Sequence, residues 1–184
     1  MAVVVDAQIL KGHFQESVLG IDHDLTGSPN PIFDHTFRID ALHVDAGGQV
    51  AQEWRSVVEP EWFDAWYVDQ VRDGFICEID AKAEKQLKKD LSNLGFPATG
   101  RDIWYARLCN SAAEAKGFCF FVSEDLDFYQ PGAKGGDAKR RQKILREELG
   151  AVRKYLKKER SIHVKPVVNF VSDFPSMREA AVSH

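Results

Sequence analysis

Short apolar runs alternate with longer amphipathic stretches along the whole chain. Residues 2–5 (AVVV) and 118–122 (FCFFV) are apolar at every position, which predicts strands buried on both faces, as in a parallel sheet. The run at 118–122 is expected at the centre of that sheet. Residues 37–44 and 75–79 predict two more strands. Residues 162–171 contain a fifth, which Pro166 restricts to an edge because proline cannot donate to a ladder. Between these runs, residues 7–19, 49–58, 61–71, 81–94 and 102–116 space their apolar positions for helices. Residues 139–160 read as one long helix. Pro60 stops the helix over 49–58, and Gly95 and Pro97 close the one over 81–94. Gly47-Gly48 marks a turn, residues 22–31 (DHDLTGSPNP) have loop chemistry throughout, and residues 130–136 form a loop with three glycines. Strands alternating with helices define an α/β fold: a three-layer α/β/α sandwich around a mostly parallel sheet of about five strands. Residues 1–171 are expected as one domain, with an inserted loop at 22–31, and residues 172–184 as a flexible tail.

Composition changes this picture little. A chain of 184 residues with 44% apolar and 28% charged residues suits one globular domain. No stretch approaches the ~20 apolar residues of a membrane span, and the first residues lack the basic and apolar regions of a secretory signal. Cys77, Cys109 and Cys119 fit no zinc spacing and read as buried, reduced thiols of a cytoplasmic protein. His13, His23, His35 and His43 are irregularly spaced and read as surface polar residues.

Charge adds an asymmetry. Residues 139–160 hold ten basic and three acidic residues, a surplus of +7, so the rest of a chain of net charge -4 carries -11. A basic surface beside an acidic pocket is the arrangement this split permits.

The acids fall where α/β sheets place their sites, at the carboxyl ends of strands. Asp6 directly follows residues 2–5; Asp125 and Asp127 follow FCFFV after Ser123-Glu124. Asp102 opens a helix, where the dipole favours a carboxylate, and Glu53 lies within the helix after Gly47-Gly48. Any one of these acids alone suits a solvated surface or a helix cap. Asp6 and Asp125 are harder to assign so, because each ends an apolar strand. Carboxylates gathered in one place repel unless a cation joins them, and a hard divalent ion such as Mg²⁺ or Mn²⁺ suits oxygen ligands.

In this order the segments VVVDAQIL, HVDAGGQVAQEW, GRDIWYARLCNSAAEAKG and FFVSEDLDFY resemble the PIN-domain nucleases over about residues 2–171. The most specific piece is the last, an apolar strand followed by Ser, any residue, Asp, any residue, Asp, Phe. The resemblance implies that Asp6, Glu53, Asp102 and Asp125 are the four catalytic, metal-holding acids. It makes Asp127 an additional acid of the metal site and Ser123 the hydroxyl that orients a neighbouring carboxylate. Asp6 and Asp125 are expected as direct ligands of one or two Mg²⁺ or Mn²⁺ ions. Ala7 and Gln8 depart from the Ser, Thr or Asn that members often carry after the first acid, which weakens one expected hydrogen bond to Asp6. The distance along the chain from Asp6 to Glu53 is long for the family, and residues 22–31 account for it.

The implied activity is metal-dependent endonucleolytic hydrolysis of RNA, single-stranded or structured, with DNA left open. Arg101, Lys139, Arg140, Arg141 and Lys143 are candidate phosphate contacts. Trp104 and Tyr105 suit core packing better than base stacking. Relatives of this kind serve as toxins held by an antitoxin, or in RNA processing, and are often homodimers. Two other readings compete: a non-catalytic PIN-like module that binds RNA or protein, and a receiver-like phosphoacceptor, to which Lys165-Pro166 would contribute a last-strand lysine.

Overall fold

The computed structural model describes residues 1–33, 41–97 and 99–182, with side chains through Phe174. The chain runs β1 (Ala2–Val5), α1 (Ala7–Phe14), α2 (Asn30–Phe33), β2 (Leu42–Asp45), α3 (Gln49–Val57), α4 (Pro60–Arg72) and β3 (Ile76–Ile79). It continues through α5 (Lys85–Asn93), α6 (Asp102–Lys116), β4 (Cys119–Val122), α7 (Ala138–Arg146), α8 (Ala151–Arg160), β5 (Ile162–Lys165) and α9 (Val167–Val182). Among the described residues, five strands form one all-parallel sheet in the order β3-β2-β1-β4-β5, with helices around it. The α/β sandwich read from the sequence is therefore the observed fold.

β1 and β4 are buried at every residue and pair in register from Ala2–Cys119 to Val5–Val122. Their β-branched and aromatic side chains face helices on both sides of the sheet, which is why neither strand alternates with polar residues. β4 lies between β1 and β5, one place from the centre that its composition suggested. The direction of strand addition reverses between β1 and β4, so the carboxyl ends of these two strands flank the crevice where such sheets bind ligands. The order differs from the 2-1-3-4-5 order of receiver domains. Lys165, at the end of β5, is bound by Glu148 at 3.0 Å and Asp173 at 2.7 Å. Both features count against the phosphoacceptor reading.

Several local expectations need correction. The helix over 139–160 is two helices, α7 and α8. Its break has a steric cause: Gly150 adopts φ 128° and lies against the carbonyl of Tyr129, where any Cβ would collide. The residues after Pro166 are not strand. Pro166 accepts the Phe170 N–H at 3.0 Å and opens α9, since a missing N–H costs nothing in the first turn of a helix. The tail expected to be flexible is helical to Val182. Pro60 does not only end one helix; it starts α4 from its first position. α1 ends at Phe14 and continues to Leu19 as a wider, π-helical turn. The strand expected over 37–44 is observed from Leu42 to Asp45; residues 37–40, and His35, lie outside the described residues.

The buried thiols are Cys109 and Cys119, whereas Cys77 is exposed on the edge strand β3. His43 is buried within β2, its ring against the backbone of Val3, and burial lowers its pKa. Tyr105 is core, stacked on Phe121 at 5.4 Å, and Trp104 is partly buried against the core. No helix among the described residues is long and apolar enough to cross a membrane.

Candidate active site

Asp6 leaves β1 and caps α1, its Oδ1 accepting the Gln8 N–H at 3.1 Å. Its Oδ2 accepts from the hydroxyl of Ser123, the first residue after β4, at 2.7 Å. The same Ser123 oxygen accepts the Asp125 N–H at 3.1 Å. One buried hydroxyl thus links the ends of the adjacent strands β1 and β4. Ala7 and Gln8 do not leave Asp6 short of partners, because a backbone amide and Ser123 supply them. Asp125 in turn accepts the Asp127 N–H at 2.9 Å and caps the short turn Leu126–Phe128. Asp102, in the first turn of α6, completes the cluster: Asp102, Asp125 and Asp127 each offer a carboxylate oxygen within 4.8 Å of the others.

Three contacts position these acids. Trp54 is fully buried and its Nε1 donates to the Val5 carbonyl at 3.2 Å, which brings neighbouring Glu53 beside the end of β1. Tyr105 Oη accepts the Ala7 N–H at 3.1 Å, fixing α6 against the start of α1. Asp102, three residues earlier, shares that helix face. Asp45 ends β2 and accepts the N–H groups of Gln49 at 2.9 Å and Val50 at 2.7 Å, satisfying donors at the start of α3. Gly48 permits this with a left-handed φ of 74°.

The site is electrostatically strained. Burial pushes the Asp6 carboxyl up to about 6, against the lowering by its bonds from Ser123 and Gln8 and with added repulsion from Asp125 and Glu53. Burial also pushes Asp102 up to about 6, with Asp125 and Asp127 repelling it further. Glu53 is raised mainly by burial, with Arg101 opposing. Its Oε2 is buried and receives no hydrogen bond among the described residues. An orphaned carboxylate oxygen, beside acids held close despite their repulsion, fits a hard divalent cation, which takes oxygen ligands and offsets the charge. The donor set contains no sulfur or imidazole, which favours Mg²⁺ or Mn²⁺ over softer ions.

One cation is already present. Lys134, from the glycine-rich loop, places Nζ 2.9 Å from Asp125 Oδ1 and 2.5 Å from Asp127 Oδ2. A cleft of about 470 Å³ opens beside it, bounded by Gln8, Lys11, Leu25, Asp125, Lys134 and Arg141 among others. Asp22, His23, Asp24 and Leu25 form part of its wall. Thr26 is fastened there by Glu124, which accepts its N–H at 3.0 Å and its hydroxyl at 2.5 Å.

The expected phosphate contacts are distributed unevenly. Arg141 lies on the cleft, close to Glu124 at 3.8 Å. Arg101 is 3.7 Å from Glu53, so its charge is partly committed to that acid. Lys139 and Lys143, with Arg146, line a second cleft of about 530 Å³ that shares Leu25 with the first. Arg140 is exposed on α7. Sequence reading missed Lys134, Asp45, Trp54 and Glu124 as parts of the site. A lysine between glycines in a loop near two strand-end acids was one signal in the chain, and Asp45 just before Gly47-Gly48 was another; Trp54 and Glu124 act through partners distant in sequence.

The protein is thus an α/β protein whose all-parallel sheet gathers an acidic cluster at its point of strand reversal. Comparison with family models, curated proteins and solved structures finds no match to this chain.

Proposed function

We propose that this chain is a PIN-like, metal-dependent nuclease that hydrolyses phosphodiester bonds of RNA within the strand. The observation that carries this reading is the convergence of Asp102, Asp125 and Asp127, whose carboxylate oxygens lie within 4.8 Å of one another, at the crevice edge where Ser123 ties the Asp125 amide to the Asp6 carboxylate.

Asp6, Asp102 and Asp125 would hold Mg²⁺ or Mn²⁺, with Glu53 beside them. When bound, the ion supplies a water of lowered pKa and offsets charge developing on phosphate oxygens. The chain's own residues do the rest. Ser123 fixes the Asp6 carboxylate in one orientation and leaves its other oxygen to the Gln8 amide. Glu53 Oε2, free of hydrogen bonds among the described residues, is available to orient water or accept its proton. Lys134 and Arg141 line the adjoining cleft, where their charges attract a phosphodiester backbone. Beyond Leu25, Lys139, Lys143 and Arg146 extend the basic surface for flanking phosphates.

Incubating the protein with single-stranded RNA and Mn²⁺ tests the reading. Internal cleavage is expected, lost with EDTA and with Asp125→Asn. Cleavage by Asp125→Asn at the wild-type rate would refute it.

A further inference from the structure

We propose that Lys134 supplies the second cation of this site, so that the chain takes one divalent ion, held by Asp6, Asp102 and Asp125, and not two. This inference rests on the nuclease reading above and deepens it.

The geometry engages the acids unequally, with Asp125 shared between the Lys134 ammonium and the ion. Lys134 Nζ reaches both oxygens of Asp125, at 2.9 and 3.3 Å, and Oδ2 of Asp127 at 2.5 Å. An ion bridging Asp125 and Asp127 would have to occupy the ammonium's place. Arg101 attends Glu53 at 3.7 Å. Asp6 and Asp102 are the carboxylates of the cluster that form no ion pair among the described residues, and one dication answers both.

The lysine is held there by its loop. Ala133 is buried, and three successive turn bonds run from the Ala133 amide to Gln130, from Lys134 to Pro131 at 3.2 Å, and from Gly136 to Ala133 at 3.1 Å. The Lys134 amide is therefore part of a closed turn, and its side chain reaches the acids from a fixed base. The same side chain lines the 470 Å³ cleft.

Asp127 follows as a positioning residue for Lys134, not a metal ligand. Its carboxylate is nearly buried under the ammonium, and its amide orients Asp125.

Calorimetric titration of the whole chain with Mn²⁺ tests this. Wild type and Lys134→Arg are expected to bind one equivalent, and Lys134→Met two. Two equivalents in wild type, or one in a folded Lys134→Met, would overturn the proposal. Asp127→Asn provides a check that does not depend on the lysine variant folding. It is expected to keep one equivalent, with affinity lowered by no more than the about 10- to 100-fold that loss of an outer-shell group costs; loss of the bound equivalent altogether would overturn the proposal. Failure here is distinguishable from failure of the nuclease reading. Two bound ions together with RNA cleavage abolished by Asp125→Asn would remove the role given to Lys134 and leave the nuclease standing.

Discussion

Ser123 donates its hydroxyl to Asp6 Oδ2 at 2.7 Å, across 117 residues of chain. The bond joins the carboxyl ends of β1 and β4, and the same oxygen accepts the amide of Asp125. It links the end of an apolar core strand to the acid cluster beside it. Two adjacent strand ends become one preorganised edge, which is the property a metal site requires of its support.

Ser123→Ala should therefore damage the site more than the fold. Asp6 loses its strongest lowering partner while remaining buried. We expect RNA cleavage to fall about 10- to 100-fold and stability to fall by about 1–3 kcal/mol. Single-turnover rates and chemical denaturation of the same preparation measure the two effects separately. Wild-type rates in Ser123→Ala would mean that the hydroxyl does not orient the acid.

The strain in the cluster has a pH signature. Asp6 and Asp102 have folded-state values raised from 3.8 to about 6. The folded state therefore binds more protons than the unfolded state between those values. Their contribution to stability is fully present below about pH 4, declines as pH rises through about 6, and stays lost above it. In metal-free protein, Asp6→Asn should remove its share of this decline and raise stability at pH 8 by roughly 1–3 kcal/mol, while abolishing cleavage. Melting curves in EDTA at pH 4 and pH 8 give the comparison; an Asp6→Asn protein less stable than wild type at pH 8 would contradict it.

Tyr105→Phe tests a support that also touches the site, since the phenol's hydrogen bond lowers the Glu53 carboxyl. The phenol oxygen accepts the buried Ala7 amide, and phenylalanine leaves that N–H unpaired at the start of α1. A cost of about 1–3 kcal/mol is expected, with the ring's stacking on Phe121 retained. Urea denaturation reads the cost, and no change would show that water replaces the phenol.

Much of this was legible in the chain. AVVV and FCFFV announced buried parallel strands because both faces of such strands meet helices. The acid after each announced a site because open α/β sheets bind at strand ends. The span of α6 agrees with its pattern, and Gly47-Gly48 marked the turn into α3. What was not legible depends on contacts between distant residues. The break between α7 and α8 follows from the Tyr129 carbonyl against Gly150, and nothing in a run of lysines and arginines signals that contact. Pro166 marked an edge strand, which β5 is, but it also begins a helix whose next amide is taken by the Glu124 carboxylate, 43 residues back. Lys134 was missed because its partners lie seven and nine residues away in a different turn.

The second cleft predicts how RNA binding responds to salt. Lys139, Lys143 and Arg146 face it with Glu147 as the acidic member of its lining. In the background of Asp125→Asn, expected to remove cleavage, Lys143→Gln with Arg146→Gln should weaken RNA binding. The slope of binding against salt should flatten by about 0.7 for each single-strand phosphate that is no longer neutralised. Fluorescence anisotropy across a salt series measures the slope, and an unchanged slope would place the substrate elsewhere.

The central physical claim is that carboxylates from β1, α6 and β4 share one divalent ion. Anomalous scattering from a crystal soaked in Mn²⁺ tests it most directly. The account predicts a peak about 2.0–2.2 Å from carboxylate oxygens of Asp6, Asp102 and Asp125, a metal-to-oxygen spacing typical of small divalent ions. A crystal in which Mn²⁺ scatters only from other surface acids, with these three carboxylates bare, would contradict it.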